Sequence, residues 1–451
     1  MEICEILWFH FLLSCRVFNR MSDYYRHSFV TFAGQILSLV LILLSNILIT
    51  RVLGPEGKGV MSLLLAFPIV TVLFSIVGLD EASIYFLGSK KYEYSEVLGW
   101  AILNTLIISA ISVGILVILR NWLVTSVIKN ISTEFLMVAI FCIPFQIFFQ
   151  YECAILLGKK NFFGYNLLTI LRNFLLLLAQ LILIIKYGLR GGIYSILLGF
   201  AVSALAGILL IKKLGKPKFP KQFDFEKKSI SYGSRSVLGL VFHYLTRRLD
   251  LFIVNFFLNT AQVGFYSISL MLSELPWYIP SAFGTVLFPQ VSGMEKPEAH
   301  RFSALICRNT VFITVLACIL LAVIAKPVIN IFFTAKFYPA LIPFYINLPR
   351  TVALGIARVL GGNFQGTGKP EYGTIMAFVS FAITLILDLL FIPRWGITGA
   401  AIATTIANTL SVVIGLYIFT KSSKISLTEM LFVRWNEVKN YRQLVAKVIK
   451  R

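Results

Sequence analysis

Runs of about 20 apolar residues recur from residue 28 to residue 420 of this chain, separated by short polar breaks. A helix of about that length crosses a ~30 Å hydrocarbon core, and backbone inside a bilayer must satisfy its own hydrogen bonds. The pattern admits one class of fold, an all-α polytopic membrane protein. Composition agrees: 58% of the 451 residues are hydrophobic and 14% are charged, against about a quarter charged in an average soluble chain. We expect twelve spans, at about 28–50, 60–87, 97–119, 134–156, 166–186, 191–211, 231–257, 263–291, 303–325, 338–361, 372–392 and 396–419.

Charge sets the orientation. With the N-terminus inside, 25 of the 41 Lys and Arg fall in inner segments and nine in outer loops, which places both termini in the cytoplasm. The same bias accounts for the net charge of +21, and no basic soluble region with interleaved aromatics points to nucleic acid. The six cysteines show no Cys-x-x-Cys spacing and read as small packing residues. Neither a Gly-x-x-x-x-Gly-Lys-Ser/Thr phosphate loop nor a His-Glu-x-x-His or Cys/His cluster occurs, so no cofactor or metal is expected.

Five segments follow from these runs. Residues 1–27 precede the first span, and their first twenty open with two glutamates and lack a small-residue cleavage site, unlike a signal peptide. Met21 is the expected natural start. Residues 28–211 and 231–420 hold six spans each, joined by the basic linker 212–230. From 421 to 451 a basic tail shows a Ser426/Glu429 capping pattern, followed by Leu427, Leu431, Trp435 and Val438 at helical spacing. Two readings of this tail stand: lying on an anionic inner leaflet, or docking on the cytoplasmic loops.

The two six-span segments repeat each other. At an offset of 208, Gly158 meets Gly366, Gly188 meets Gly396 and Gly191 meets Gly399, while Gln180 meets Asp388 inside the same span. At an offset of 205, Gly59 falls on Gly264 and Ser45 on Asp250. Parallel repeats of this kind form two pseudo-symmetric six-helix lobes around a central cavity, with transport by rocking of one lobe against the other.

Several stretches resemble one family. ITRVLGPEGKGVMSLLLAFPIVTVLFSIVGLDEASIYFLGSKK, RRLDLFIVNFFLNTAQVGFYSIS and GITGAAIATTIAN are similar to segments of the polysaccharide-biosynthesis membrane proteins. These are the O-antigen and exopolysaccharide repeat-unit flippases of the multidrug/oligosaccharidyl-lipid/polysaccharide exporter superfamily. The resemblance runs from Met21 to about Lys421. It implies a non-enzymatic carrier in the bacterial inner membrane that moves an undecaprenyl-diphosphate-linked oligosaccharide, with polysaccharide polymerase machinery as a partner.

The residues themselves fit a diphosphate. Arginine presents a planar fork to phosphate oxygens, and Arg172, Arg247, Arg248, Arg350 and Arg358 lie deep within spans, where an unpaired charge is costly. Each is either a cavity group or a member of an ion pair. Arg235 and Arg308, nearer the inner ends, read as snorkelling to headgroups. Tyr244 is the candidate sugar contact. Asp80, Asp250, Glu274 and Asp388 are either counter-charges or sites for Na⁺ or a proton. At about 100° per residue, His243, Arg247 and Asp250 share one stripe, which makes Arg247 and Asp250 the expected ion pair. Arg248 falls on another stripe with Tyr244, and Arg350 and Arg358 are expected to face one cavity. Pro276 and Pro280 mark a bend, either gating or static.

Three rival functions remain. A lipid II flippase shares the diphosphate chemistry. A multidrug and toxin extrusion-type cation antiporter shares the layout, yet its cargo calls for acids in the cavity. A membrane polymerase or glycosyltransferase calls for a larger extramembrane loop than Arg120–Thr133.

Overall fold

The computed structural model describes residues 22–88, 92–129, 131–212, 215–219, 224–292 and 294–432. Residues 1–20, Met21, the side chain of Arg235 and the tail beyond 432 therefore lie outside the described residues. Every described element is helical. In chain order they are α1 (Ser22–Ile76), α2 (Leu79–Gly88), α3 (Tyr94–Trp122), α4 (Thr133–Phe141), α5 (Ile143–Gly158) and α6 (Phe162–Lys212). There follow α7 (Asp224–Phe257), α8 (Thr260–Ser273), α9 (Tyr278–Val291), α10 (Lys296–Val328), α11 (Leu341–Gly366), α12 (Glu371–Ser423) and α13 (Leu427–Leu431).

Seven described helical stretches are long and apolar enough to cross a membrane. The three longest, of 44, 51 and 53 residues, each contain a glycine outside helical geometry: Gly54 in α1, Gly188 in α6 and Gly396 in α12. At Gly188 (φ 58°, ψ −135°) and Gly396 (φ 59°, ψ −142°) the backbone takes nearly the same conformation, one that only glycine adopts without strain. A methyl on Gly191 would collide with the Leu183 carbonyl, and one on Gly399 with that of Phe391. Groups eight residues apart meet only where the chain doubles back, so α6 and α12 each turn on a single glycine. The loops expected at these places shrink to that one residue.

α7 is absent from the seven because Arg247, Arg248 and Asp250 interrupt its apolar run. α8 and α9 are 14 residues each, divided by a 3₁₀ turn over Leu275–Trp277 that begins after Glu274 and contains Pro276. The expected bend is thus a break between two helices.

α1 packs on α6 within the first repeat and on α8 across to the second; α7 packs on α12. The crossing of α1 and α8 is close because Gly59 lies against the Thr260 carbonyl and Gly264 against that of Pro55. Residues paired by the 205 offset therefore touch each other, as they must where a local two-fold axis passes between them. Arg51 adds bonds from α1 to the Ile331 and Phe332 carbonyls. At the other end, a Cβ on Gly78 would lie 2.6 Å from the Gly233 carbonyl oxygen, another backbone approach between repeats.

The linker is held to the first repeat. Lys218 N donates to the Ser95 carbonyl (2.8 Å) and its ammonium to Glu93 (3.0 Å), holding that exposed carboxyl below its ordinary range. At the C-terminus Ser426 accepts from Glu429 N, as the capping pattern predicts, but the helix ends at Leu431, where Phe432 turns extended. The described part of the tail docks: Met430 is fully buried against α10 and its neighbours, and Arg308 donates to the Glu429 carbonyl (3.3 Å). Arg308 is thus buried under the tail instead of snorkelling. The four described cysteines, Cys142, Cys153, Cys307 and Cys318, are free and buried.

Candidate functional site

The break between α8 and α9 places Glu274 at the centre of the second repeat. Its carboxylate joins two elements: Oε2 accepts from Arg247 of α7 at 2.8 Å, and Oε1 from Arg350 of α11 at 3.3 Å. Arg350 is wholly buried. A guanidinium with no access to water is tolerable in hydrocarbon only when paired, so Arg350 is a structural member of this triad. Arg358, two turns further along α11, lines the cavity described below. The expectation that Arg350 and Arg358 share one cavity face is corrected accordingly.

The expected Arg247–Asp250 pair is also corrected. Asp250, fully buried, accepts from Tyr266 Oη and Leu251 N, both at 2.8 Å. Arg247 instead binds Glu274 and lies 4.9 Å from the centre of the Trp277 ring. Asp80 accepts from Gln150 (3.0 Å). Asp388 is fully buried and neither of its oxygens has a hydrogen-bond partner; Asp250 is its acidic neighbour.

A second group of charges sits where the repeats meet. Arg248 lies beside the Tyr244 hydroxyl. Lys58, only 5% exposed, comes from α1 to within electrostatic reach of Arg248. Arg172 of α6 reaches the same tyrosine, its guanidinium between the rings of Phe149 and Phe200 at 4.5 and 4.4 Å. None of Lys58, Arg172 and Arg248 forms an ion pair with a carboxylate among the described residues. This is a cationic site assembled from both repeats. Lys58 is the member that the sequence reading assigned to an outer loop; the glycines on either side of it, Gly57 and Gly59, were the available signal.

Beside this site a cavity of about 1720 Å³ opens among the helices of the second repeat, with Phe86 of α2 also on its wall. His243, Arg247, Trp277 and Arg358 line one part of it, and Ser380, Asn408 and Ser411 another. It extends to Lys228, Gln365 and Glu371 at the linker end of the bundle. Among the described residues no group of three or more His, Cys, Asp or Glu could hold a metal ion.

A bundle of long membrane helices, with charge buried between two repeats and a polar cavity beside it, defines a multi-pass membrane protein of the transporter type. The family model described as polysaccharide biosynthesis protein matches residues 48–342, and the chain belongs to that family. It is 24% identical over 227 residues to a probable low-salt glycan biosynthesis flippase of Haloferax volcanii, spanning about half the length of that relative (47%) and 49% of this chain. It is 22% identical to a putative O-antigen transporter of Shigella flexneri over 83% of this chain and 92% of the relative. Among solved structures, the lipid II flippase MurJ in an inward closed conformation superposes with a TM-score of 0.74 at 17% identity. That superposition covers 90% of this chain and 89% of the other, a likeness of fold.

Proposed function

We propose that the chain is a flippase that carries a polyprenyl-diphosphate-linked oligosaccharide, of the undecaprenyl class, across the bacterial inner membrane for surface polysaccharide synthesis. The observation that carries this reading is the trio Lys58, Arg172 and Arg248 between the repeats, none of which forms an ion pair with a carboxylate among the described residues. Glu274 and Asp250 act on Arg248 only from beyond ion-pair distance, so the site has room for an anion, and a diphosphate supplies two phosphates to three basic groups. The family and the flippase and transporter relatives agree with it. With α1, α6 and α12 each counted as two spans, the architecture is twelve helices in two lobes, 28–211 and 231–420. The lobes alternate access by rocking, with both termini cytoplasmic. Polysaccharide polymerase machinery is the expected partner.

Coupling falls to Asp250 and Asp388. Their offset mates Ser45 and Gln180 hydrogen-bond each other in the first repeat. In the second repeat the two positions carry carboxyls, and that of Asp388 is unsatisfied. A buried carboxyl without partners takes up a proton or Na⁺. Glu274 is held by two arginines, Asp80 accepts from Gln150, and Asp250 accepts from Tyr266 and Leu251 N, so Asp388 is the one of the four whose oxygens lack a hydrogen-bond partner, with Asp250 as its acidic neighbour.

The test is genetic. Expression in the native strain with its own copy deleted restores surface polysaccharide; failure of the unaltered chain to do so refutes the reading. A lipid II flippase has the same anion chemistry with a different glycan, and rescue of a lipid II flippase-depleted strain would reassign the cargo. A cation antiporter is disfavoured because the charge between the repeats is basic.

A further inference from the structure

The repeat allows the two halves to be compared position by position. At the offset of 208, Phe149 corresponds to Ala357, Arg172 to Ser380 and Phe200 to Asn408. In the first repeat these three side chains fill a slot by stacking on one another. In the second repeat all three positions line the cavity. A ring has become a methyl, a guanidinium a hydroxyl and a second ring an amide. The cavity is the space those side chains would occupy, extended toward the linker end.

Its size and lining narrow what it can hold. At about 1720 Å³ it exceeds the roughly 300–1000 Å³ that encloses a drug-sized ligand. Ser380 is buried in this wall with its hydroxyl unpartnered, while Asn408 Nδ2 donates to the Thr404 carbonyl and the Ser411 hydroxyl to that of Met376, both at 2.7 Å. Trp277 and His243 stand on another part of the wall, and Arg247 there has its charge matched by Glu274. Hydroxyls and amides satisfy sugar hydroxyls, and an indole ring offers a face for the C–H side of a sugar. An isoprenoid chain would leave the Ser380 hydroxyl unsatisfied.

We propose that this cavity is a glycan subsite, which takes the sugars next to the diphosphate while the diphosphate rests between the repeats at Lys58, Arg172 and Arg248. The inference rests on the flippase reading above. The first repeat keeps its slot closed, so the glycan enters one lobe only, and Ala357, Ser380 and Asn408 set how many sugars fit.

Restoring first-repeat bulk tests this. The full chain, purified and reconstituted in liposomes, is offered two probes: the lipid-linked glycan extracted from its native cells, and the same lipid trimmed enzymatically to its first sugar. Ala357→Phe, and the milder Ala357→Leu, should slow movement of the full glycan lipid by at least about tenfold. The trimmed lipid should move within about twofold of its native rate. Each variant is scored only if it elutes as a monodisperse peak, and the leucine variant serves if the phenylalanine variant does not fold. Equal slowing of both probes assigns the cavity to the lipid or the diphosphate and overturns the proposal; unchanged movement of both overturns it as well. If the unaltered chain moves neither probe, the flippase reading fails, and this inference with it.

Discussion

Arg247 forms an ion pair with Glu274, whereas Arg248 forms none with a carboxylate among the described residues. This difference sets what each substitution does. Arg248→Ala removes a cation that waits for an anion, so transport falls by at least about tenfold, as expected for a lost charge-assisted contact, while the amount of folded protein holds. Transport is read as surface polysaccharide and folded protein as the monodisperse fraction after purification. Glu274→Gln acts in the opposite way. It leaves Arg350, wholly buried, without its ion-pair partner, at about 3–5 kcal/mol, so the melting temperature of the detergent-solubilised protein drops. The pairing behind these outcomes was only half legible in the sequence. A helical wheel sorts residues on one helix, and it placed Arg247 and Arg248 on different stripes. It could not find Glu274, 27 positions away on another helix, and so gave Arg247 the nearest acid on its own.

Single residues also decide where elements end. Gly188 and Gly396 turn α6 and α12 back on themselves, and their equal spacing from neighbouring glycines made the repeat readable before any helix was placed. Lys58 was hidden for the converse reason. A polar break in an apolar run reads as a loop, yet helical backbone resumes straight after Gly54, Gly59 lets α8 approach beside the lysine, and Lys58 is buried. Helix spacing likewise suggested an amphipathic tail, most of which lies outside the described residues; its described part is the short helix Leu427–Leu431, with Met430 buried in the core against α10. That contact is open to test. Met430→Ala removes a fully buried side chain, at about 2–5 kcal/mol if the site does not collapse. On a five-residue helix this exceeds what local structure can hold. Trypsin should then cleave after Lys424 several-fold faster, with the melting of the rest unchanged; protection equal to the native chain would show that Met430 does not anchor the tail.

At the scale of the whole molecule, the contact that matters most is between two glycines that the repeat itself pairs. Gly59 and Gly264 meet at the crossing of α1 and α8, backbone against backbone, on the side assigned to the outside. A rocking carrier must break and remake such a contact once per cycle, and side chains larger than hydrogen would prevent it from forming. Sequence patterning marked both glycines as equivalent, but only the fold shows that equivalent residues touch, since contact needs the axis and not the offset alone. Gly59→Val should therefore hold the outer side apart. Val263, fully buried beside this contact, gives the reporter: a Val263→Cys thiol should react slowly with a membrane-impermeant maleimide in the otherwise native chain. With Gly59→Val added it should react at least several-fold faster, and transport should fall with it, because a carrier held open on one side cannot complete a cycle. The described native cysteines are all buried, so the background is low. Equal labelling in the two backgrounds would mean that the crossing is static packing, and the moving boundary between the lobes would then have to lie elsewhere.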